Sequence, residues 1–262
     1  MMPKLSLVIV AQNEERTIGK VLEAAKSLPD EIILVDSGST DKTMDIAAAY
    51  GAKIVHQDWL GYGPQKNFAM ELATGEWILS LDGDEIMTPD LVSEVKSELA
   101  NPQCADYDGF KIPRLLYIGD QPVWHGGFFP DAQLRIIKRG AGAFNNRLVH
   151  EAIKVKGPTK TLRHHMDHYS YPSVVQFEAA MEKYARLHAQ EFMNRGDKKK
   201  NVSRLNEMLH PCWTFFYRFI CRGGFLDGAL GLRLNLIYSS YVAHKIRYLR
   251  EAQEAAASIA AN

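Results

Sequence analysis

Glu31-Ile-Ile-Leu-Val-Asp-Ser-Gly-Ser-Thr-Asp41 and Trp77-Ile-Leu-Ser-Leu-Asp-Gly-Asp-Glu85 are built alike: an apolar run ends in a carboxylate, and a glycine follows within two residues. A continuous run of aliphatic residues is the pattern of a strand buried on both faces, which belongs to parallel sheets. In open α/β sheets, ligands gather outside the carboxyl ends of the strands. Asp36, Asp41, Asp82 and Asp84 stand at or just beyond two such ends, where carboxylates suit a ribose, a divalent cation and a diphosphate.

Working outward, Leu5 to Val10 reads as another strand buried on both faces. Asn13 is expected to cap a helix over Arg16 to Ser27, with Ile18, Val21, Leu22 and Ala25 on one face. Thr40 or Asp41 is expected to cap a second helix that ends at Gly51. Lys53 to His56 reads as a strand, Pro64 to Ala73 as a helix, and Pro89 opens another running to about Ala100. Strand and helix alternating at this spacing predict a mostly parallel, doubly wound sheet of α/β class. From Asp108 the rhythm changes: Phe110 to Leu116, Gln133 to Lys138 and Val149 to Val155 read as strands between glycine-rich loops. From Ser173 the pattern is helical, with Val174, Phe177, Met181, Tyr184, Ala185 and His188 on one face. RGDKKKN at 195–201 reads as a solvated break, and the alanine-rich tail EAQEAAASIAAN is expected to fray.

The expected organisation is a nucleotide-binding half over 1–105, an acceptor-side half of the same domain over 106–172, and a helical extension over 173–262. The 262 residues carry 31 basic and 31 acidic side chains. That balance gives no case for nucleic acid as a partner. Cys104, Cys212 and Cys221 are few and far apart, which fits neither a disulfide framework nor a metal motif and points to a reducing cytosol. The Leu5–Ala11 run lacks the features of a signal peptide, and no stretch reaches the roughly 20 apolar residues needed to span a bilayer. A cytoplasmic protein, soluble or attached to the inner face of the membrane, is expected. Trp213, Phe215, Phe216, Tyr217, Phe219 and Phe225, interleaved with Arg218 and Arg222, fit either an anionic membrane interface or a helical cap on the core.

Asp36 ends an apolar strand, where a carboxylate has poor intrinsic propensity, so it is read as a ligand contact with Asn13 and Glu14 beside it. Asp41 is read as a helix cap. Asp82-Gly83-Asp84 can share Mg²⁺ or Mn²⁺, held by one or two carboxylates plus phosphate oxygens. Glu151 follows His150 at a strand start and could take a proton from an acceptor hydroxyl; Asp131 is a rival base, and the alternative for Glu151 is a surface pair with Lys154 or Arg147. Trp124, His125, Gly126 and Gly127 offer an aromatic platform and open backbone to a sugar. Of the histidines near TLRHHMDHYSY, His168 is the one singled out.

With those residues assembled, the chain resembles family 2 glycosyltransferases of the GT-A fold. The motifs that carry this are LVIVAQNEE, VDSGSTDKT, GPQKNFAMELATGEWILSLDGDE, HGG, RLVHE and DHYSY. Within the family it is similar to bacterial lipopolysaccharide-core β-1,4-glucosyltransferases. The resemblance implies an inverting, metal-dependent hexosyltransferase that uses a UDP-sugar, with glucose as the sugar and inner-core heptose or a similar glycan as the acceptor. It implies donor contacts from Asn13, Glu14, Asp36, Gln65, Lys66, Asp82 and Gly83, and a metal site of Asp84 and Asp82 with His168. Trp124 to Gly127 would lie at the acceptor, and Glu151 would be the base. Many relatives place the base in a Glu-Asp pair, whereas this chain has His150-Glu151, which keeps Asp131 in contention. A nucleotidyltransferase would want a basic, glycine-rich phosphate loop after the first strand, where this chain has AQNEE. A non-catalytic sugar-nucleotide or adaptor protein is the third reading, opposed by Glu151 and Asp131.

Overall fold

The computed structural model describes residues 3–145, 151–194 and 203–261. The chain forms two compact units, Met1–Leu116 with Pro130–Ser170, and Tyr117–Phe129 with Tyr171–Asn262.

In the first unit, β1 (Leu5–Ala11) lies between β2 (Glu31–Asp36) and β4 (Trp77–Asp82), parallel to both, and β3 (Lys53–His56) extends the sheet beyond β2. The register pairs Ala11 with Asp36 and Val10 with Asp82, so both carboxylates flank the carboxyl end of the central strand. Side-chain alternation then winds the sheet on both faces. Leu5, Leu7 and Ile9 of β1, with Leu79 and Leu81 of β4, pack with α1 (Ile18–Ala25), α2 (Thr43–Ala49) and α4 (Pro89–Ala100). Val8, Ile33, Val35 and Ile78 point the other way, onto Ala69 and Met70 of α3 (Tyr62–Glu71). This is the predicted α/β, doubly wound arrangement.

Beyond β4 the sheet turns antiparallel through β8 (Asp131–Lys138) and β6 (Gly109–Ile118), then continues to β12 (Met166–Tyr171) and β5 (Glu85–Met87). β11 (Thr159–Thr161) runs parallel to the start of β6, and β9 (Gly142–Phe144) pairs with β10 (Ile153–Val155) in a separate ribbon. The expected strand over Val149 to Val155 is Ile153–Val155 where described; residues 146–150 lie outside the described residues.

One local expectation is corrected. Asn13 does not cap α1. It sits at φ 58° and its Oδ1 accepts from the Thr40 backbone N–H at 2.9 Å, while the Glu14 carbonyl takes the Thr17 and Ile18 N–H groups. Asparagine tolerates the left-handed region, so it serves a loop-to-loop bridge here. The C-terminal tail is part of α7, which runs from Gly228 to Ala261, as a stretch rich in alanine, the best helix former, allows.

The second unit holds β7 (Gln121–Val123), α5 (Val174–Asn194), α6 (Arg204–Phe216) and α7. α5 buries Phe177, Met181, Ala185 and Ala189, largely the predicted face. The 195–201 break lies outside the described residues. α6 runs into a π-helical turn at Tyr217–Cys221 and a 3₁₀ turn at Gly224–Asp227. No helix among the described residues is long and apolar enough to cross a membrane.

Candidate active site

Loops at the carboxyl ends of β1, β2 and β4 assemble the first part of the site. The Asp36 carboxylate is 1% exposed, and its Oδ2 accepts the backbone N–H groups of Gly38 and Ser39 at 2.8 and 2.9 Å. Its Oδ1 is buried with no partner. A buried acceptor left open costs free energy unless something donates to it. Gln65 closes the next layer, donating from Nε2 to Ser37 Oγ at 3.0 Å and to the Gln57 carbonyl at 2.9 Å. Asp41 accepts from the Thr43 N–H at 3.0 Å, next to the first turn of α2, and from the Glu15 N–H at 3.1 Å, tying the two loops together.

The two aspartates of Asp82-Gly83-Asp84 meet opposite environments. Asp82 Oδ1 lies 2.6 Å from Lys66 Nζ, and its Oδ2 accepts from Arg135 Nη2 at 2.9 Å. Burial by itself would raise its pKa, but Lys66 and Arg135 overcome that and hold it well below the usual carboxylate range. Asp84 has no such cations. Burial, with the Asp82 and Glu85 carboxylates nearby, pushes its pKa up, against a smaller pull from His168. His168 Nε2 is 3.6 Å from Asp84 Oδ2, and Ser170 Oγ donates to the same oxygen at 3.2 Å. Glu14 is raised as well, by burial and by Asp84. A Cβ on Gly83 would come 2.8 Å from Glu14 Cγ, so only glycine lets these acidic loops close up.

Asp84 and Glu14 thus form an acidic pocket with too little positive charge, beside a fully compensated Asp82. Among the described residues, no three His, Cys, Asp or Glu side chains gather in ligand geometry. A hard cation that takes one or two carboxylates and completes its shell with phosphate oxygens and water fits this donor set.

The two candidate bases are both paired. Glu151 Oε1 accepts from Lys66 Nζ at 3.0 Å, so its partner is Lys66. Lys66 therefore bridges Asp82 and Glu151; burial pulls its pKa down, but the two carboxylates together raise it. Asp131 is gripped by Arg114 through Nε at 3.1 Å and through Nη2, and by Gln133 at 2.7 Å. Burial opposes the shift, but Arg114 holds Asp131 below its ordinary value, which makes it a weak base.

Sequence reading missed the residues that hold this network. Arg135, 5% exposed, donates to both Asp82 and Glu85, and Glu85, fully buried, also accepts from Arg114 at 3.1 Å. The signal was there: an arginine inside Leu134-Arg-Ile-Ile137 must find a buried counter-charge. The histidine cluster, by contrast, is dispersed. His164 bonds Glu94 at 2.9 Å and His165 lies 3.5 Å from Asp167, so only His168 joins the site.

Trp124 to Gly127 belong to the second unit. Asp227 accepts from the backbone N–H groups of Trp124 and His125 at 3.3 and 2.8 Å and lies 2.8 Å from His125 Nδ1. Gly126 and Gly127 follow at φ 66° and 74°, which only glycine adopts freely.

Residues 6–128 match the model of "Glycosyl transferase family 2". An uncharacterized glycosyltransferase of Rickettsia bellii is 30% identical over 95% of this chain and 86% of its own length. The lipopolysaccharide core biosynthesis glycosyltransferase LpsC of Rhizobium meliloti is 28% identical over 97% of this chain and 96% of its own. Among solved structures, the mannosyltransferase PcManGT from Pyrobaculum calidifontis, in complex with GDP-Man and Mn²⁺, shares the fold at TM-score 0.55 and 14% identity, covering 95% of this chain and 88% of that one. With the carboxylates at the strand ends, the acidic pocket and relatives matched along nearly the whole chain, the protein belongs to glycosyl transferase family 2.

Proposed function

We propose that the protein is an inverting hexosyltransferase that moves glucose from UDP-glucose to a heptose of lipopolysaccharide inner core, or to a similar lipid-linked glycan. The observation that carries the donor side is the contrast within Asp82-Gly83-Asp84. One carboxylate is saturated by Lys66 and Arg135, and the other is left needing a cation. The name of the Rhizobium meliloti relative supports a core glycan as acceptor, and the Mn²⁺ of the archaeal mannosyltransferase supports a divalent ion.

In this reading residues 1–105 take the donor, 106–172 face the acceptor and 173–262 attach the protein to the membrane. The open Asp36 Oδ1 accepts from an imide N–H of the base, with Asn13, Glu14 and Gln65 shaping the nucleoside pocket. Asp84, with His168 beside it and Asp82 behind, would hold Mg²⁺ or Mn²⁺, which supplies countercharge for the departing diphosphate. Lys66, already fixed at the site by Asp82, adds a second positive charge there. Trp124 to Gly127 would line the acceptor. Its hydroxyl attacks the anomeric carbon in line with the leaving diphosphate, and Glu151 takes the proton. Glu151 is preferred over Asp131 because the grip of Arg114 and Gln133 weakens Asp131 as a base.

The test is nucleoside-diphosphate release with UDP-glucose, UDP-galactose, UDP-N-acetylglucosamine, ADP-heptose and GDP-mannose, using truncated core lipopolysaccharide as acceptor. UDP-glucose should lead, and Glu151→Gln should lower turnover about 10²–10⁴-fold with donor affinity kept. Normal transfer by Glu151→Gln, with loss in Asp131→Asn, would reverse the assignment of the base.

A further inference from the structure

Arg218 lies in the second unit, and its guanidinium rests in the corner made by two rings that meet edge to face. Its Cζ sits 4.3 Å from the centre of the Phe128 ring and 3.8 Å from that of Tyr238. Both rings attract the cation through their π-systems. Its edges are not served: Nε and Nη2 are buried and have no hydrogen-bond partner. The charges acting on it are wrong for a structural ion pair. Burial pushes its pKa down, Tyr238 offsets that in part, and the other charged group bearing on it is a second cation, Arg222. The Asp227 carboxylate spends its oxygens on Trp124 and His125.

A buried guanidinium without a counter-ion is costly, and removing water from it is repaid only when an anion meets its N–H groups. The backbone leaves a way in. Nη1 lies 3.3 Å from where a Cβ on Gly127 would stand, so any other residue would press on that corner of the guanidinium. Gly127 is also at φ 74°. Exposed Arg222 adds a second positive charge.

We propose that Arg218 is the centre of an oxyanion-binding site that takes a phosphate or carboxylate group over Gly127, met by Nη1 and steadied by Arg222. The group can be a phosphate or carboxylate carried by a glycan, or the phosphate of a lipid headgroup; a charged N–H donor suits either.

The full chain is titrated with inorganic phosphate by calorimetry at low ionic strength, and in parallel with phosphatidylglycerol vesicles by flotation. The wild type is compared with Arg218→Lys, which keeps the charge against the rings, and Arg218→Met, each checked for fold by circular dichroism. Saturable phosphate binding, weakened about tenfold or more in Arg218→Lys, is expected, since charge-assisted hydrogen bonds contribute about 1.5–3 kcal/mol each. Unchanged vesicle binding in that variant would place the anion on a soluble or glycan group. Vesicle binding that depends on Arg218, without affinity for free phosphate, would place it on the lipid. Equal binding by wild type and Arg218→Lys in both assays, or none in either, would overturn the site. Neither assay contains a sugar nucleotide, so failure of the transferase reading would leave both results standing.

Discussion

At the scale of single residues, the site is a matter of which charges are matched. Arg135 and Glu85 are both buried and are joined at 2.5 Å, and Arg114 adds a second contact to Glu85. Glu85→Gln leaves two guanidinium groups short of a counter-charge, and breaking such a buried pair costs about 3–5 kcal/mol. The urea midpoint should fall accordingly. Burial opposes the shift, but Arg135 and Arg114 lower the pKa of Glu85 from its ordinary 4.5. Its stabilisation is therefore complete above the unfolded value and is lost as pH falls through the depressed folded one. The stability gap between wild type and Glu85→Gln should be flat above about pH 5 and close in acid. Asp84 behaves in the opposite sense, as an unmatched carboxylate. Asp84→Ala should abolish Mn²⁺-dependent UDP affinity, as read by calorimetry with and without the metal; unchanged affinity in both conditions would remove Asp84 from the metal site.

At the scale of elements, short strands do the positioning that long ones cannot. β5 and β12 pair His168 with Glu85, which carries the late histidine to Asp84 across more than eighty residues of chain. Thr88 secures that junction. Its Oγ1 accepts from the Leu91 N–H at 3.3 Å as the cap of α4 and donates to the His165 carbonyl at 2.8 Å. Thr88→Ala should cost about 1–2 kcal/mol through the lost cap, with a matching fall in Tm. The parallel strands were legible because each is a run of buried aliphatic residues. β5, β9, β10 and β11 are three residues long, too short for an alternation to show, and the partners of β5 and β11 are remote in the chain. The Asn13 cap failed for a related reason: the same side chain can cap a helix or bridge a loop, and Thr40, from the next loop along the sheet edge, decided between them.

At the scale of the whole molecule, the charge balance conceals a one-sided surface. Along α6 and the turns after it, Leu205, Met208, Leu209, Trp213, Phe216, Tyr217, Ile220, Phe225 and Leu226 are all exposed. The exposed charged side chains between 203 and 236 are Arg204, Arg222 and Arg233, while Glu207 is occupied by Arg247 and Arg250. An apolar face with tryptophan and tyrosine and a purely basic rim suits an anionic bilayer surface. Flotation with phosphatidylglycerol vesicles at low salt should recover the protein, and Leu209→Glu with Trp213→Glu should release it. Failure of the wild type to float would remove the membrane from the proposal.

What could be read in the amino-acid order alone was whatever depends on neighbours in the chain: the aliphatic runs of β1, β2 and β4, the apolar faces of α1 and α5, and the carboxylates at the strand ends. Those features are local, and they sufficed to reach the family and the cluster of carboxylates at the strand ends. The charge environment of each carboxylate is set by residues distant in sequence. Asp82 and Asp84 are chemically identical and one residue apart. Lys66 and Arg135, brought in from α3 and β8, compensate the charge of the first and leave that of the second uncompensated. Likewise Arg114 claimed Asp131, and only the packing of Arg218 against Phe128 and Tyr238 showed a guanidinium with no anion to meet. Charge compensation acts through space over a few ångströms, and folding is what sets those distances.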